Sequence, residues 1–233
     1  MDFTNKALWP FFTIDSETVY VTKTILSTWI IMIVLTILTV IVRIKLKTFT
    51  REPMPGSFQN LVELCVDGMH NFAESKLGKN LAWMGAYFFG VFAFILACNY
   101  SPLFGLRPPT SDLATTIPLA MNTFFLIHYI GITRSKSEYF KEYIKPFFLF
   151  LPVHVLGELS RPISFSCRLF GVILGGKIIL TILYEVLPWF LVFWVPSFLH
   201  AYLEILIGSI QAFIFCVLSM TFIHEKASLA EEE

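Results

Sequence analysis

The sequence predicts an all-α polytopic membrane protein, with about five membrane helices and one amphipathic interfacial helix. Three observations carry this reading. Of 233 residues, 56% are hydrophobic and only 15% charged, and the mean hydropathy is +0.70; soluble domains run nearer 25% charged. Several apolar runs reach about 18 residues or more, the length that crosses a hydrocarbon core of about 30 Å. One further stretch, 57–77, has helical apolar spacing with a polar opposite face. The formal net charge is zero, which argues against nucleic acid as a partner. The four cysteines (Cys65, Cys98, Cys167, Cys216) have no paired spacing for zinc or a disulfide framework. The chain reads as one membrane domain, 1–233.

Residues 1–24 form a polar and aromatic leader without the basic, apolar and small-residue regions of a signal peptide. The first span, 25–42, is followed at once by Arg43, Lys45, Lys47 and Arg51, so positive-inside counting puts the N-terminus outside the cell. Pro53 and Pro55 break the chain, and Ser57 offers a cap. In 57–77, Leu61, Val62, Cys65, Met69, Phe72 and Ala73 make the apolar stripe. The opposite face carries Gln59, Glu63, Asp67 and Glu74. Lipid-binding helices of this kind are usually basic, so this acidic one is expected to dock on protein.

The second and third spans are 81–100 and 113–132, joined by a Pro- and Gly-rich turn carrying Arg107 and Asp112. Asn122 and His128 within the third span are read as helix–helix hydrogen-bonding residues. A basic stretch with Arg134, Lys136, Lys141 and Lys145 follows, again cytoplasmic by charge.

Residues 147–184 contain no convincing loop. As one helix they would run about 57 Å at 1.5 Å per residue, so the helix must tilt, bend at Pro152 or Pro162, or divide into a re-entrant pair. A long, strongly tilted helix is expected. An aromatic connector between Pro188 and Pro196 leads to the last helix, 198–222, also long and tilted. It carries His200, Glu204, Gly208 and Gln211 as one polar stripe. The tail after 222 is polar, cytoplasmic by span count, and offers no function.

Charges inside the 147–184 run are the strongest functional signal. A charged side chain at mid-bilayer costs about 2.5–3.5 kcal/mol on insertion scales. Arg168 has apolar sequence for several turns beyond it, which disfavours snorkelling to an interface. On a helix its face also holds Arg161, Ser164, Gly171 and Gly175. Small-residue helix packing would explain the glycines alone; an arginine among them points to a close-approaching partner surface.

The run Glu158-Leu-Ser-Arg-Pro-Ile-Ser, then Arg168-Leu-Phe-Gly171, with Gln211-Ala-Phe-Ile-Phe in the last helix, resembles the a subunit of F-type ATP synthases. With the hydropathy layout, the similarity covers nearly the whole chain and is strongest from about 152 to 222. The resemblance implies the stator half of a rotary motor in a bacterial plasma membrane. Its partners would be the c-ring, the b subunit of the peripheral stalk, the rest of the F1F0 complex and the lipid bilayer. It also implies no cofactor and no catalytic activity of its own. Arg168 matches the family's essential arginine, which meets the ion-carrying carboxylate of the c-ring, with Ser164, Gly171 and Gly175 facing the rotor. An arginine stays protonated; it favours the ionised form of an opposing carboxylate and separates an entry route from an exit route. His154 and Glu158 are assigned to the cytoplasmic half-channel, and Lys177, His200, Glu204 and Gln211 to the external one.

Three positions depart from the family pattern. Val172 stands where many members have Asn. Lys177 and Glu204 stand where many have an acid and a histidine, a swap that keeps a complementary pair; the two are expected to be neighbours, as ion pair, ion path or both. Proton and sodium both remain open as the ion. A membrane hydrolase is disfavoured by the lack of HExxH and GxSxG motifs. A secondary transporter or channel subunit is the alternative, but no duplicated pattern of interrupted helices is visible.

Overall fold

The computed structural model describes residues 7–14, 17–49, 57–144, 151–188, 190–191 and 194–228. Its helices are α1 (Lys23–Phe49), α2 (Ser57–Leu77), α3 (Gly85–Tyr100), α4 (Leu113–Ile144), α5 (Leu151–Val186), α6 (Trp194–Ala201) and α7 (Gly208–Ser228). A π-helical segment, Tyr202–Ile207, joins α6 to α7, and a 3-10 turn, Lys79–Met84, leads into α3. Five helical stretches are long and apolar enough to cross a membrane: Lys23–Leu46, Lys79–Phe104, Leu113–Arg134, Leu151–Val186 and Trp194–Ser228. The protein is thus an all-α polytopic membrane protein in its membrane part.

The leader holds one surprise. Strands β1 (Ala7–Ile14) and β2 (Glu17–Thr22) pair antiparallel, with register shifts beside Pro10. Aromatic and β-branched residues such as Trp9, Phe12, Val19 and Val21 favour strands, and a proline cannot donate to the ladder. The Pro53–Gly56 break, Lys145 and the expected helix start at 147–150 lie outside the described residues.

α5 is a single continuous helix of 36 residues despite Pro162, about 54 Å long. Not a re-entrant pair, it lies chiefly along α4, while α7 packs on α4, α3 and α2. Two apolar cores hold the bundle. One joins Ile95 of α3, Ala120 of α4, Phe165 and Leu169 of α5, and Ala212 and Phe215 of α7. The other joins the C-terminal half of α2 (Ala73, Leu77) to Phe88, Ile127, Cys216, Met220 and Ile223.

The amphipathic helix therefore docks only in part. Met69, Phe72, Ala73 and Leu77 pack inward, but Leu61 and Leu64 remain exposed, because no other described element reaches the first half of α2. Asn122 Nδ2 donates to Tyr87 Oη across α4 and α3 at 2.8 Å, a helix–helix bond. His128 instead meets its own helix, Nδ1 lying 2.9 Å from the Phe124 carbonyl. Cys98 and Cys216 are buried, whereas Cys65 and Cys167 are exposed and do not serve as core residues.

Candidate functional site

Leu169 and Phe165 set the orientation of Arg168. Both are buried in the core between α5, α4 and α7, and Phe165 packs on the Phe215 ring at 5.2 Å between centroids. With the inner face of α5 fixed, Arg168, about 100° round the helix from Leu169, lies at the edge of the bundle, half-buried. Its Nη1 is buried and has no hydrogen-bond partner among the described residues. Ser164 and Gly171 on the same face are exposed, and a Cβ built on Gly171 or Gly175 would meet nothing within 4 Å. The arginine thus borders an open, smooth strip, with one donor lacking an acceptor.

Gln211 has a similar deficit: it is 5% exposed and its Nε2 has no partner among the described residues. Gly176 of α5 faces Leu203, with Leu203 Cδ1 3.8 Å from a Cβ built on the glycine. Counting along this antiparallel pair, Arg168 lies about eight residues back and Gln211 about eight on, so both reach a similar depth. Buried donors without acceptors cost about 1–3 kcal/mol each, which suits groups awaiting a carboxylate or water.

Beyond them a cavity of about 790 Å³ opens between α1, the α3–α4 connection, α5 and the α6–π segment. Lys177, His200 and Glu204 line it, as do Arg107 and Lys23. His200 Nδ1 is 2.9 Å from Glu204 Oε1, while Glu204 Oε2 is buried without a partner among the described residues. Lys177 and Glu204 interact electrostatically across this space, and no ion pair within 4 Å joins them. The expected pairing of these two is therefore at a distance, and the histidine takes the direct contact.

The single polar stripe expected on the last helix is divided. The π segment widens the turn between Ala201 and Gly208, a feature frequent at functional sites. His200 and Glu204 face the cavity, but Gly208 is buried against α3, where a Cβ would stand 3.0 Å from Asn99 Cβ. Carbonyl groups loosened by the irregular turn are met by side chains. Asn99 Nδ2 donates to the Gly208 carbonyl at 2.9 Å, and Ser209 Oγ donates to the Ile205 carbonyl while sharing a 2.6 Å bond with Tyr100 Oη. Thr110 in turn donates to Asn99 Oδ1 at 3.2 Å. Gly208 is thus a packing residue, not part of a path wall.

At the other end, Glu158 is buried and ion-paired. Its Oε1 lies 2.8 Å from Lys226 Nζ, itself 3% exposed, and its Oε2 lies 3.3 Å from Arg161 Nη1. Arg161 also approaches Glu225 at 3.4 Å and stacks over the Phe222 ring at 4.5 Å. His154 is exposed on the outer side of α5, one turn away. The tail was dismissed on composition, yet Glu225 and Lys226 extend α7 into this network. A lone buried-pair candidate, Glu158 in apolar sequence, was the signal that a cation had to be found for it.

Known proteins agree with this arrangement. The family model described as ATP synthase A chain matches residues 25–224. ATP synthase subunit a of Moorella thermoacetica is 34% identical over 203 residues, covering 86% of this chain and 88% of that protein. ATP synthase subunit a 1 of Syntrophotalea carbinolica is 33% identical over 204 residues, covering 84% and 81%. The chloroplastic subunit a of Bigelowiella natans is 30% identical over 216 residues, covering 87% and 84%. An open strip beside a buried arginine, a charged cavity in a five-span bundle and these matches together lead to one statement: the chain belongs to the ATP synthase A chain family.

Proposed function

We propose that this chain is the ion-conducting stator of a rotary F-type ATP synthase, without catalytic activity of its own. Arg168 would meet the ion-carrying carboxylate of a c-ring subunit across the Ser164, Gly171 and Gly175 strip. The observation that carries this reading is the buried, unsatisfied Arg168 Nη1 beside glycines with open space above them. A carboxylate arriving there would accept from the guanidinium and be held in its ionised form.

The cavity with Lys177, His200 and Glu204 is the entry half-channel in this reading, leading towards Gln211 and Arg168. The second route passes His154 and Glu158. Since α1 and α4 are followed by basic stretches, the α3–α4 end would face outside and the N-terminus with it, while the C-terminus would be cytoplasmic. The ring carboxylate gives up its ion at Arg168, takes one from the other route and turns away neutral. Ion flow is then tied to rotation and ATP synthesis. The b subunit and the rest of the F1F0 complex would hold the stator still.

Affinity purification of the tagged chain tests the assignment. Co-purification of a ring of small hairpin proteins and a soluble ATPase is expected, with Gly171→Cys forming a disulfide to cysteines placed on the ring helix. A purified chain that brings neither would refute it.

A further inference from the structure

We propose that the cavity at the α3–α4 end also binds an anionic phospholipid. Its headgroup would lie against Lys23, Arg107 and Lys177, and an acyl chain would run along α5.

Charge is the first observation. Of the ionic side chains lining the cavity, three are cations and one, Glu204, is a carboxylate already engaged by His200 at 2.9 Å. Arg107 and Lys177 are close enough to repel one another. A cavity with this excess of positive charge favours an anion, and basic pockets between membrane helices hold anionic headgroups.

Size is the second. About 790 Å³ far exceeds a file of waters at about 30 Å³ each, and falls within the range of pockets that hold organic ligands. Shape and polarity are the third. Thr181 lines both this cavity and an adjoining groove formed with Leu174, Ile178 and Ile182, whose lining presents no polar surface. A free phosphate would satisfy the cations and leave that groove empty; a phospholipid fills both. Lys23 begins α1 and Arg107 sits on the connection before α4, which puts these charges at the end of the bundle where headgroups lie.

The inference rests on the entry-channel reading in one respect. A headgroup phosphate would offset the repulsion that a positive ion meets from the three cations, while leaving Glu204 and His200 free to relay it. Binding itself does not depend on that role.

The test uses the intact, purified ATP synthase. Native mass spectrometry compares retention of phosphatidylglycerol with phosphatidylcholine, with inorganic phosphate as competitor, and a photoactivatable acyl chain reports position. Phosphatidylglycerol is expected to be retained preferentially and to label α5 between Leu174 and Ile182. Combined Lys23→Gln and Arg107→Gln should weaken retention about thirty-fold, two headgroup contacts of ordinary strength. Equal retention of the two lipids, an absence of label on α5, or full displacement by inorganic phosphate would each overturn the proposal. If the double variant fails to assemble, the wild-type comparison alone decides. Pumping is recorded separately: a complex that pumps without holding phosphatidylglycerol sinks the lipid site and leaves the ion path standing. Lipid retention without pumping has the opposite meaning.

Discussion

Removing Lys226 should destabilise the junction of α5 and α7 far more than an ordinary tail substitution. Its Nζ lies 2.8 Å from Glu158 Oε1, with side-chain exposures of 3% and 9%. At an effective dielectric of about 20, the gross Coulomb attraction at that distance is about 6 kcal/mol. Desolvation of both ions cancels much of it, and truncating one partner of such a pair typically costs about 3–5 kcal/mol. Arg161 stays 3.3 Å from Glu158, but it also approaches Glu225, so the lower end applies: about 3 kcal/mol for Lys226→Met, whose side chain keeps the apolar stem. Combined Glu158→Leu and Lys226→Met should fall within about 1 kcal/mol of wild type, since no charge is left alone. Unfolding in mixed detergent micelles of the wild type, both singles and the double gives the coupling energy as a double-mutant cycle. A Lys226→Met cost below about 0.5 kcal/mol, the range of neutral surface changes, would refute the pair. Pumping by the double variant adds a second decision. Normal pumping makes Glu158 a clamp, and failure with restored stability makes it an ion carrier.

Three further outcomes are expected. Gly208→Ala should cost about 1–3 kcal/mol by overpacking against Asn99 and disturb the π turn, and adding Asn99→Ala should recover part of the loss in the same unfolding assay. Glu204→Gln should slow ATP-driven pumping about a hundredfold if its carboxylate relays ions, whereas Lys177→Gln should cost less; equal effects would mean a joint role. Gly175→Leu should leave assembly on native gels intact but abolish pumping, because its side chain would fill the strip bordering Arg168; normal pumping would separate that strip from the rotor.

Much of the architecture was legible because hydropathy and period are local properties. The five apolar runs, the continuous helix through Arg168 and the small residues beside it all follow from spacing along one element. What was missed depends on which elements meet. Lys226 was unreadable as a partner until α7 was seen to continue past residue 222 and bring it to Glu158, 68 positions away. Gly208 belonged to a regular polar stripe only while the last helix was taken as α-helical throughout. The π segment, matched by donors from Asn99 and Ser209, turned it into the buried face. Arg107 and Lys23 joined the cavity because the bundle folds two chain-distant segments over α5, which no pattern along the sequence reports.

Arg168 carries the central claim, and ATP-driven proton pumping in sealed vesicles tests it most directly. Vesicles with Arg168→Ala should assemble the complex and hydrolyse ATP but build no gradient. Arg168→Lys should fail as well, because an ammonium lacks the planar fork that meets a carboxylate. Wild-type pumping rates with Arg168→Ala would contradict the account.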